Sequence, residues 1–558
     1  MSRSLWRLVL KRWFCVIFIC AAFLLPGSIF INTAFAIAES TGVGGSDAIA
    51  VHQLGETADG VNIGLVSMGN VRTTHLAFRD SAGVSHVFNY DFIGGGFEIT
   101  NHETWVAGIL ASRGTSDFPD RVGVACGADV YCGNIQKNNS ITFTNLYNVL
   151  MGLVVTLDCD VVMIDFTLSE VADGDSSWTL LCDYFAYNYN VLFALPAGND
   201  NTRVAAFGDS YNGITTGGLI LTDGANQYDY RTVGNLSGQG FTVDGRRKPD
   251  MAMPSQGQTM PNASSDTAWI TWTSNQGETS FSVPHCAGEA GLLYGAANET
   301  SAGDDSHCQV IKAVMINSTF PNINDKQNAN TDPATTENTW QYQRGYGRGD
   351  CLRGYELIKS PEIEAGRTTT NRKGWAYDSL SQNQSDVYSV YVPKNCRLVA
   401  TLTWNRRIKW VDSDHNGIIG SSELTGYLAN LDLEIYEPSN AIAIFSESRN
   451  GLNADDNVEK CDILAAKSGF YNLTIKNKST NGESAAYGLA FEVLEPVAGD
   501  LGPIDYVVDM QDLEIMSQSW LMDNFDINLA GSGRIDFADF AELMNSWLDC
   551  DPRYYPNQ

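Results

Sequence analysis

The chain has 558 residues, and its 65 Asp and Glu outnumber its 35 Lys and Arg for a formal net charge of −30. At about 150 residues per domain the length allows three to four domains, and with 44% apolar residues the chain can fill real cores, which excludes a disordered protein. The acid excess excludes the basic footprint a nucleic-acid binder needs and disfavours docking on anionic lipid.

The first elements concern export. Arg3, Arg7, Lys11 and Arg12 precede an apolar run from Trp13 to about Phe30, and small residues follow as A-F-A (34–36) and A-I-A (36–38). This is the pattern of a Sec-type signal peptide over 1–38. No other segment approaches the roughly 18 apolar residues of a bilayer span, so the expectation is a secreted, extracellular protein with no membrane association in its mature form. Of the 12 cysteines, Cys15 and Cys20 would leave with the signal, and the rest are permitted to form disulfides outside the cytosol. Cys396 and Cys461 fall in one β-rich region and are the first expected pair, although spacing does not give connectivity.

From about residue 47 to 360 strands and helices alternate. Val61–Val66, Ala128–Tyr131, Val161–Ile164 and Val191–Leu195 read as short buried strands, and Leu146, Val149, Leu150, Leu153 and Leu157 recur at helical spacing. Apolar strands separated by helices predict an α/β domain with a parallel sheet covered on both faces. Sites in such sheets form at the carboxyl ends of the strands.

A polar stretch at 365–373 reads as a linker, and over 374–495 the period changes to two. Runs at 387–392, 398–404, 431–436, 441–445, 471–475 and 487–493 predict a β-sandwich. Within it, D-S-D-H-N-G-I-I-G-S-S-E (412–423) puts Asp412, Asp414, Asn416, the Ile418 carbonyl and Glu423 at positions 1, 3, 5, 7 and 12 of an EF-hand-type loop, with Gly417 at the sharp turn. Oxygen ligands in that pattern predict Ca2+, here on an isolated loop preceded by strand rather than helix. After a second linker at 495–503, D-M-Q-D-L-E-I-M-S-Q-S-W-L (509–521) and D-F-A-D-F-A-E-L-M-N-S-W-L (536–548) predict two short helices 27 residues apart.

Three motifs carry chemistry. N-H-E-T-W-V-A-G (101–108) places His102 at a helix start, L-P-A-G-N (195–199) puts Asn199 just past a buried strand, and E-T-S-F-S-V-P-H-C-A-G (278–288) puts Ser280 before a helix expected to begin near Pro284. A serine hydroxyl needs an imidazole to take its proton, and the resulting oxyanion needs a donor such as an Asn amide. Cys286, beside His285, reads as a packing residue of that helix rather than as a thiol nucleophile.

With these residues in this order, 47–360 resembles the subtilisin-like serine peptidases, whose motifs take the forms H-G-T-H-V-A-G and G-T-S-M-A-x-P-H-x-A-G. The resemblance implies that Ser280 is the nucleophile, His102 the base and Asn199 the oxyanion donor, acting on a protein or peptide substrate. K-P-D-M-A-M-P (248–254) matches the stretch upstream of the serine, and 311–318 and 345–350 resemble the closing helices. The departures are specific. The first strand ends in Ser67-Met68-Gly69 where the family has D-S-G or D-T-G, so Ser67 stands at the place of the triad acid. Glu103 and Trp105 replace the usual Gly and second His, and few residues separate the expected cleavage site from the domain, leaving little room for a folding pro-segment.

A serine hydroxyl can accept from an imidazole N–H but cannot neutralise its cation. Asp80 and Asp91 are the nearest downstream acids to fill the role, whereas Glu103, adjacent to His102 on a helix, is expected to point away. The alternative is a subtilase-fold binding or scaffold protein without turnover. Residues 499–551 resemble a dockerin, a small α-helical module of two calcium loop–helix units, which implies a cohesin-type partner. Its loops depart from the pattern. Asp500, Asp509 and Asp512 suit the first, but Gly502 and Ile504 sit at ligand positions, and the second offers Asp526, Asn528, Asp536 and Asp539 with two extra residues.

Overall fold

The computed structural model describes residues 37–96, 98–221, 230–299, 303–326, 339–446, 456–501, 508, 510–520, 528–530 and 534–546. Nearly all of the expected signal peptide, along with Asp509, Asp526 and Cys550, lies outside the described residues.

The predicted parallel sheet is present. Its strands are β1 (Asn62–Ser67), β2 (Val87–Tyr90), β3 (Asp129–Asn134), β4 (Val161–Ile164), β5 (Leu192–Pro196), β6 (Ile214–Ile220) and β7 (Met251–Pro254), ordered β7-β6-β5-β4-β1-β3-β2 and mutually parallel. The strand order reverses between β1 and β4, so the crevice at their carboxyl ends is the switch point where such sheets place ligands. Buried side chains alternate between two cores. Ile63, Leu65, Val161 and Met163 face the layer of helices α1 (Asn101–Ala111) and α4 (Thr279–Asn298). Val66, Val162 and Ile164 face α2 (Phe143–Leu150) and α3 (Ser177–Tyr189). Both faces are covered, which is why the strands are continuously apolar. The helix read through Leu157 ends its regular turns at Leu150 and continues as a π-helical segment from Met151 to Thr156.

The β-sandwich has one sheet of Thr368–Thr369, Ser385–Val392, Gly469–Asn477, Leu431–Tyr436 and Phe445–Ser446, and a second of Lys373–Leu380, Ala485–Leu494, Arg397–Trp404 and Val458–Leu464. Two of its strands, Lys373–Leu380 and Val458–Leu464, were not expected. The run 441–445 contributes only Phe445 and Ser446, and the expected linker at 365–373 supplies the edge strand Thr368–Thr369. The second sheet is buried on both faces because it lies on helix α5 (Cys308–Asn317). Thr401 and Thr403 donate to Asn317 Oδ1 at 2.9 Å and to the Gln309 carbonyl at 2.7 Å, and Lys460 Nζ reaches the Ile316 carbonyl at 2.7 Å. All eight residues of Arg397–Trp404 are therefore buried rather than alternating. The segment 345–350 is not helical; helix α6 (Cys351–Ile358) begins just after it.

The expected Cys396–Cys461 bridge is not formed. In the pairing of Arg397–Trp404 with Val458–Leu464, Cys461 lies opposite Ala400 while Arg397 lies opposite Leu464. The two cysteines are thus about four rungs apart, or about 14 Å at 3.4 Å per residue, against the ~7 Å Cα limit for a disulfide. Cys132, Cys182 and Cys286 are buried thiols of the cores. At the C-terminus α7 (Met510–Gln518) and α8 (Phe537–Asn545) share a small core with Val508, Met516, Ile535 and Leu543, and their first residues are 27 apart as the repeat predicts.

Candidate active site

His102 occupies the first turn of α1, where the positive end of the helix dipole works against a charged imidazole. Two carboxylates oppose that effect. Asp165 Oδ2 lies 3.6 Å and Glu103 Oε1 3.8 Å from His102 Nδ1, and both carboxylate side chains are almost wholly buried. Burial alone would lower the His102 pKa, but the interactions with Asp165 and Glu103 hold it up to about 10. Burial pushes the Asp165 carboxyl up, and the opposing pull of His102 offsets this only in part. With Nδ1 turned to the acids, Nε2 is the nitrogen left for a substrate-side partner.

Asp165 was not anticipated, and the proposed substitutes do not serve. Asp80 is spent on the amides of Ala82 and Val84, and Asp91 on those of Ile93, Gly95 and Gly96, each closing its own loop. Glu103 was expected to point away from His102. At a helix start, however, its side chain turns back under the imidazole, with Oε2 3.0 Å from where a Cβ on Gly69 would stand. Ser67 does not orient the histidine: its hydroxyl donates to the Gly69 carbonyl at 2.8 Å and lies 3.2 Å from Cys132 Sγ. The signal for Asp165 was in the sequence as V-V-M-I-D, an apolar strand followed at once by an acid.

Ser280 lies in the first turn of α4, which begins at Thr279 rather than near Pro284. Pro284 is four residues after Ser280 within the helix, and its missing N–H cannot bond the Ser280 carbonyl. Asn199 follows β5 at the open carboxyl edge and is exposed. Its Oδ1 accepts from the Thr279 amide at 2.7 Å and the Thr279 hydroxyl at 3.0 Å. This fixes the carboxamide beside Ser280 and leaves its NH2 group as the free donor end. Phe281 places its ring 6.0 Å from the His102 ring. Ser280, His102 and Asn199, distant in sequence, thus share one neighbourhood at the carboxyl edge of the sheet.

One wall of that neighbourhood is aromatic. Trp105, which replaces the usual second histidine, packs 5.6 Å from Trp272 and 6.3 Å from Phe281. Trp272 belongs to the hairpin of β8 (Gln258–Pro261) and β9 (Trp269–Trp272). The hairpin approaches α1 at Gly108, where a Cβ would stand 2.2 Å from Pro261 Cδ. Only glycine fits there. Cys286 is buried against Met251, and burial pushes its thiol far up, as suits a packing residue.

A family profile described as "Subtilase family" matches residues 60–347. The chain belongs to the subtilase family. A curated relative, "Subtilisin-like protease SBT6.1" of Arabidopsis thaliana, is 21% identical over 315 residues, covering 55% of this chain and 27% of the relative. This subtilase therefore spans about a quarter of that protein's length. The solved structure of the prenylagaramide maturation protease PagA matches at 16% identity with a TM-score of 0.41, over 56% of this chain and 98% of that one.

The second candidate site of this subtilase is the loop 412–423. It joins the paired strands Arg407–Trp410 and Leu424–Tyr427, so the expected strand context is observed. Carboxylate oxygens of Asp412, Asp414 and Glu423 lie within 4.8 Å of one another. Asp412 accepts from the amides of Asn416 and Gly417, and Glu423 from Ser413, the Gly420 amide and the Trp410 indole. These bonds hold the Glu423 carboxyl down to about 2, so it is ionised at any working pH. Ile418 is exposed, while the next residue, Ile419, is buried in the core shared with α2 and α3.

In the C-terminal repeat Asp512 accepts from the Leu501 amide at 2.6 Å, and Asp539, its counterpart 27 residues on, from the Ala530 amide at 2.8 Å. Asp536 caps α8 through the Ala538 amide. No helix among the described residues is long and apolar enough to cross a membrane.

Proposed function

We propose that this subtilase is a secreted serine endopeptidase. In this reading Ser280 Oγ attacks the scissile carbonyl while His102 Nε2 takes its proton. The Asn199 NH2 group donates to the oxyanion, and the imidazolium returns the proton to the leaving amine. The observation that carries the reading is the hydrogen bonding of Asn199 Oδ1 to Thr279, which anchors the oxygen end of the amide at the residue beside Ser280 and leaves its NH2 group as the free donor. The aromatic wall of Trp105, Trp272 and Phe281 suits a protein or peptide chain with apolar side chains at the cleavage point.

The test is labelling of the purified protein with a fluorophosphonate. Wild type should label and Ser280→Ala should not; equal labelling of both, or none of either, removes the peptidase. The second outcome would favour the scaffold reading, which rests on Ser67 standing where the family has its acid.

The loop 412–423 is proposed to hold Ca2+ through Asp412, Asp414, Asn416, the Ile418 carbonyl and Glu423. The donor set is all oxygen and hard, which suits that ion. Because Ile419 anchors the loop in the core beside α3, bound calcium would fasten this hairpin to the peptidase domain. Calorimetric titration with calcium, comparing wild type with Glu423→Ala, tests it; unchanged heats would remove the site. The C-terminal helical pair is proposed as a dockerin-like module for a cohesin-type partner, on the strength of the duplicated Asp512 and Asp539 contacts. Its assay is pull-down by an immobilised cohesin, with and without calcium.

A further inference from the structure

We propose that Asp165 is the positioning acid of this centre, supplying from β4 the role that the family places at the end of β1. The inference rests on the peptidase reading of Ser280 and His102 and adds the group that acts through the histidine.

The argument is one of register. β1 and β4 are adjacent and parallel, with Ile63 opposite Val161 and Val66 opposite Ile164. One step further, Ser67 and Asp165 stand opposite each other at the carboxyl edge. Side chains alternate between faces along a strand and match between parallel neighbours. Ile63 and Leu65 on one strand, and Val161 and Met163 on the other, all face the layer of α1 and α4. By the same parity Ser67 and Asp165 point to that face, where His102 and Ser280 lie. Moving the acid from 67 to 165 is therefore a shift of one strand, about 4.8 Å, without change of level or face.

The distance of 3.6 Å from Asp165 Oδ2 to His102 Nδ1 is longer than a good hydrogen bond. Such bonds are often long in ligand-free enzymes and tighten with substrate. Asp165 Oδ2, the atom facing the ring, has no hydrogen-bond partner although it is buried, so an imidazole N–H is the donor it lacks.

Glu103 also faces the ring, with Oε1 3.8 Å from Nδ1, and its Oε2, on the side of Gly69, is buried without a hydrogen-bond partner, so the experiment compares both acids. The titratable groups facing His102 are Asp165 after β4 and Glu103 on its own helix, with the Cys132 thiol of β3 beyond them and raised by burial. With two acids beside it, His102 is charged over a wide pH range, and the neutral base is available on the alkaline side.

The experiment uses the full chain, with side-chain-labelled histidine for NMR and fluorophosphonate labelling followed against pH. Seven histidines keep the spectrum assignable by substitution. Asp165→Asn should slow labelling of Ser280 by about 10⁴-fold, the scale on which losing this acid acts in serine peptidases, and should move the His102 titration midpoint down. Adding Ser67→Asp to Asp165→Asn should restore much of the rate and raise the midpoint again, and this double variant also serves if the single one folds poorly. Wild-type labelling with an unmoved midpoint in Asp165→Asn overturns the proposal. So does a larger loss in Glu103→Gln than in Asp165→Asn, which would make Glu103 the acid. If the wild type does not label at all, the peptidase reading fails, while the NMR midpoints of the same variants still decide which carboxylate holds the histidine.

Discussion

Replacing Arg406 with Met should loosen the whole molecule, because this side chain joins the β-sandwich to the subtilase domain. Arg406 is buried; its Nη2 lies 2.9 Å from Asp183 Oδ2 on α3, and its guanidinium stacks 4.0 Å from the Tyr211 ring centroid. The contact with Asp175 adds little, since that carboxylate is exposed and screened. Removing one partner of a buried pair costs about 3–5 kcal/mol, because the other charge is left without compensation. Asp183 keeps the Ser210 hydroxyl and the Asn212 amide at 3.0 Å, so the lower end, about 3 kcal/mol, applies. The assay is the urea midpoint followed by tryptophan fluorescence in Arg406→Met, Asp183→Asn and the double variant. If the pair is a unit, the double variant should be little worse than either single one, giving a coupling of about 2–3 kcal/mol. Effects that add to within about 0.5 kcal/mol would refute the reasoning.

Two further perturbations follow from the same structure. His285 is fully buried, shares a hydrogen bond of 3.0 Å with Gln258, and burial depresses its pKa to about 3. The unfolded chain takes up that proton near pH 6.5 and the folded one does not, so stability is full above about 6.5 and falls toward pH 3 by up to ~1.4 kcal/mol per pH unit. His86, held down to about 4 by burial, adds in the same direction. Between pH 6.5 and 5 the urea midpoint should fall less, or rise more, in His285→Asn than in wild type; equal slopes would exclude His285 as a source. Gly108→Ala puts a methyl 2.2 Å from the rigid Pro261 ring. Overpacking of this kind costs about 1–3 kcal/mol, and the displaced β8–β9 hairpin should slow fluorophosphonate labelling. An unchanged midpoint and rate would show that the hairpin yields freely.

Much of this architecture was readable because burial on both faces leaves a plain mark. V-V-M-I at 161–164 was placed without error, and β1, β3 and β5 to within one residue at their starts. The motifs around His102, Asn199 and Ser280 were readable as an ordered set. What the sequence hid was lateral. Nothing in the local pattern says that β4 lies beside β1, so the acid at 165 could not be matched to the vacancy at 67. The same blindness explains the sandwich: Lys373–Leu380 and Val458–Leu464 became strands through neighbours far along the chain, and the Cys396–Cys461 expectation failed on a register that only pairing defines. Glu103 failed for a different reason. The rule that adjacent helical residues diverge describes directions on a full turn, and a long side chain in the first turn has room to fold back.

The position of Asp165 also explains why a change at the usual acid site need not remove the chemistry. A carboxylate serves His102 only from a place that is buried, on the α1 side of the sheet, and level with the strand ends. Among the strands next to β1 there are two, β3 and β4. On β3 the residue opposite Leu65 is Cys132, whose thiol lies beside the Ser67 hydroxyl, and Asn134 at the strand end bonds the Gln136 amide with its side chain. That side is occupied by groups that hold the local backbone. On β4 the first residue past the strand meets all three conditions, and it lies on the side toward β5 and Asn199. Asp165 and Asn199 then stand on the same flank of the switch point, at the carboxyl ends of neighbouring strands, with His102 reaching across from α1. A single aspartate one strand over is therefore the smallest change that preserves the geometry of the histidine while freeing position 67 for a hydroxyl that serves only its own turn.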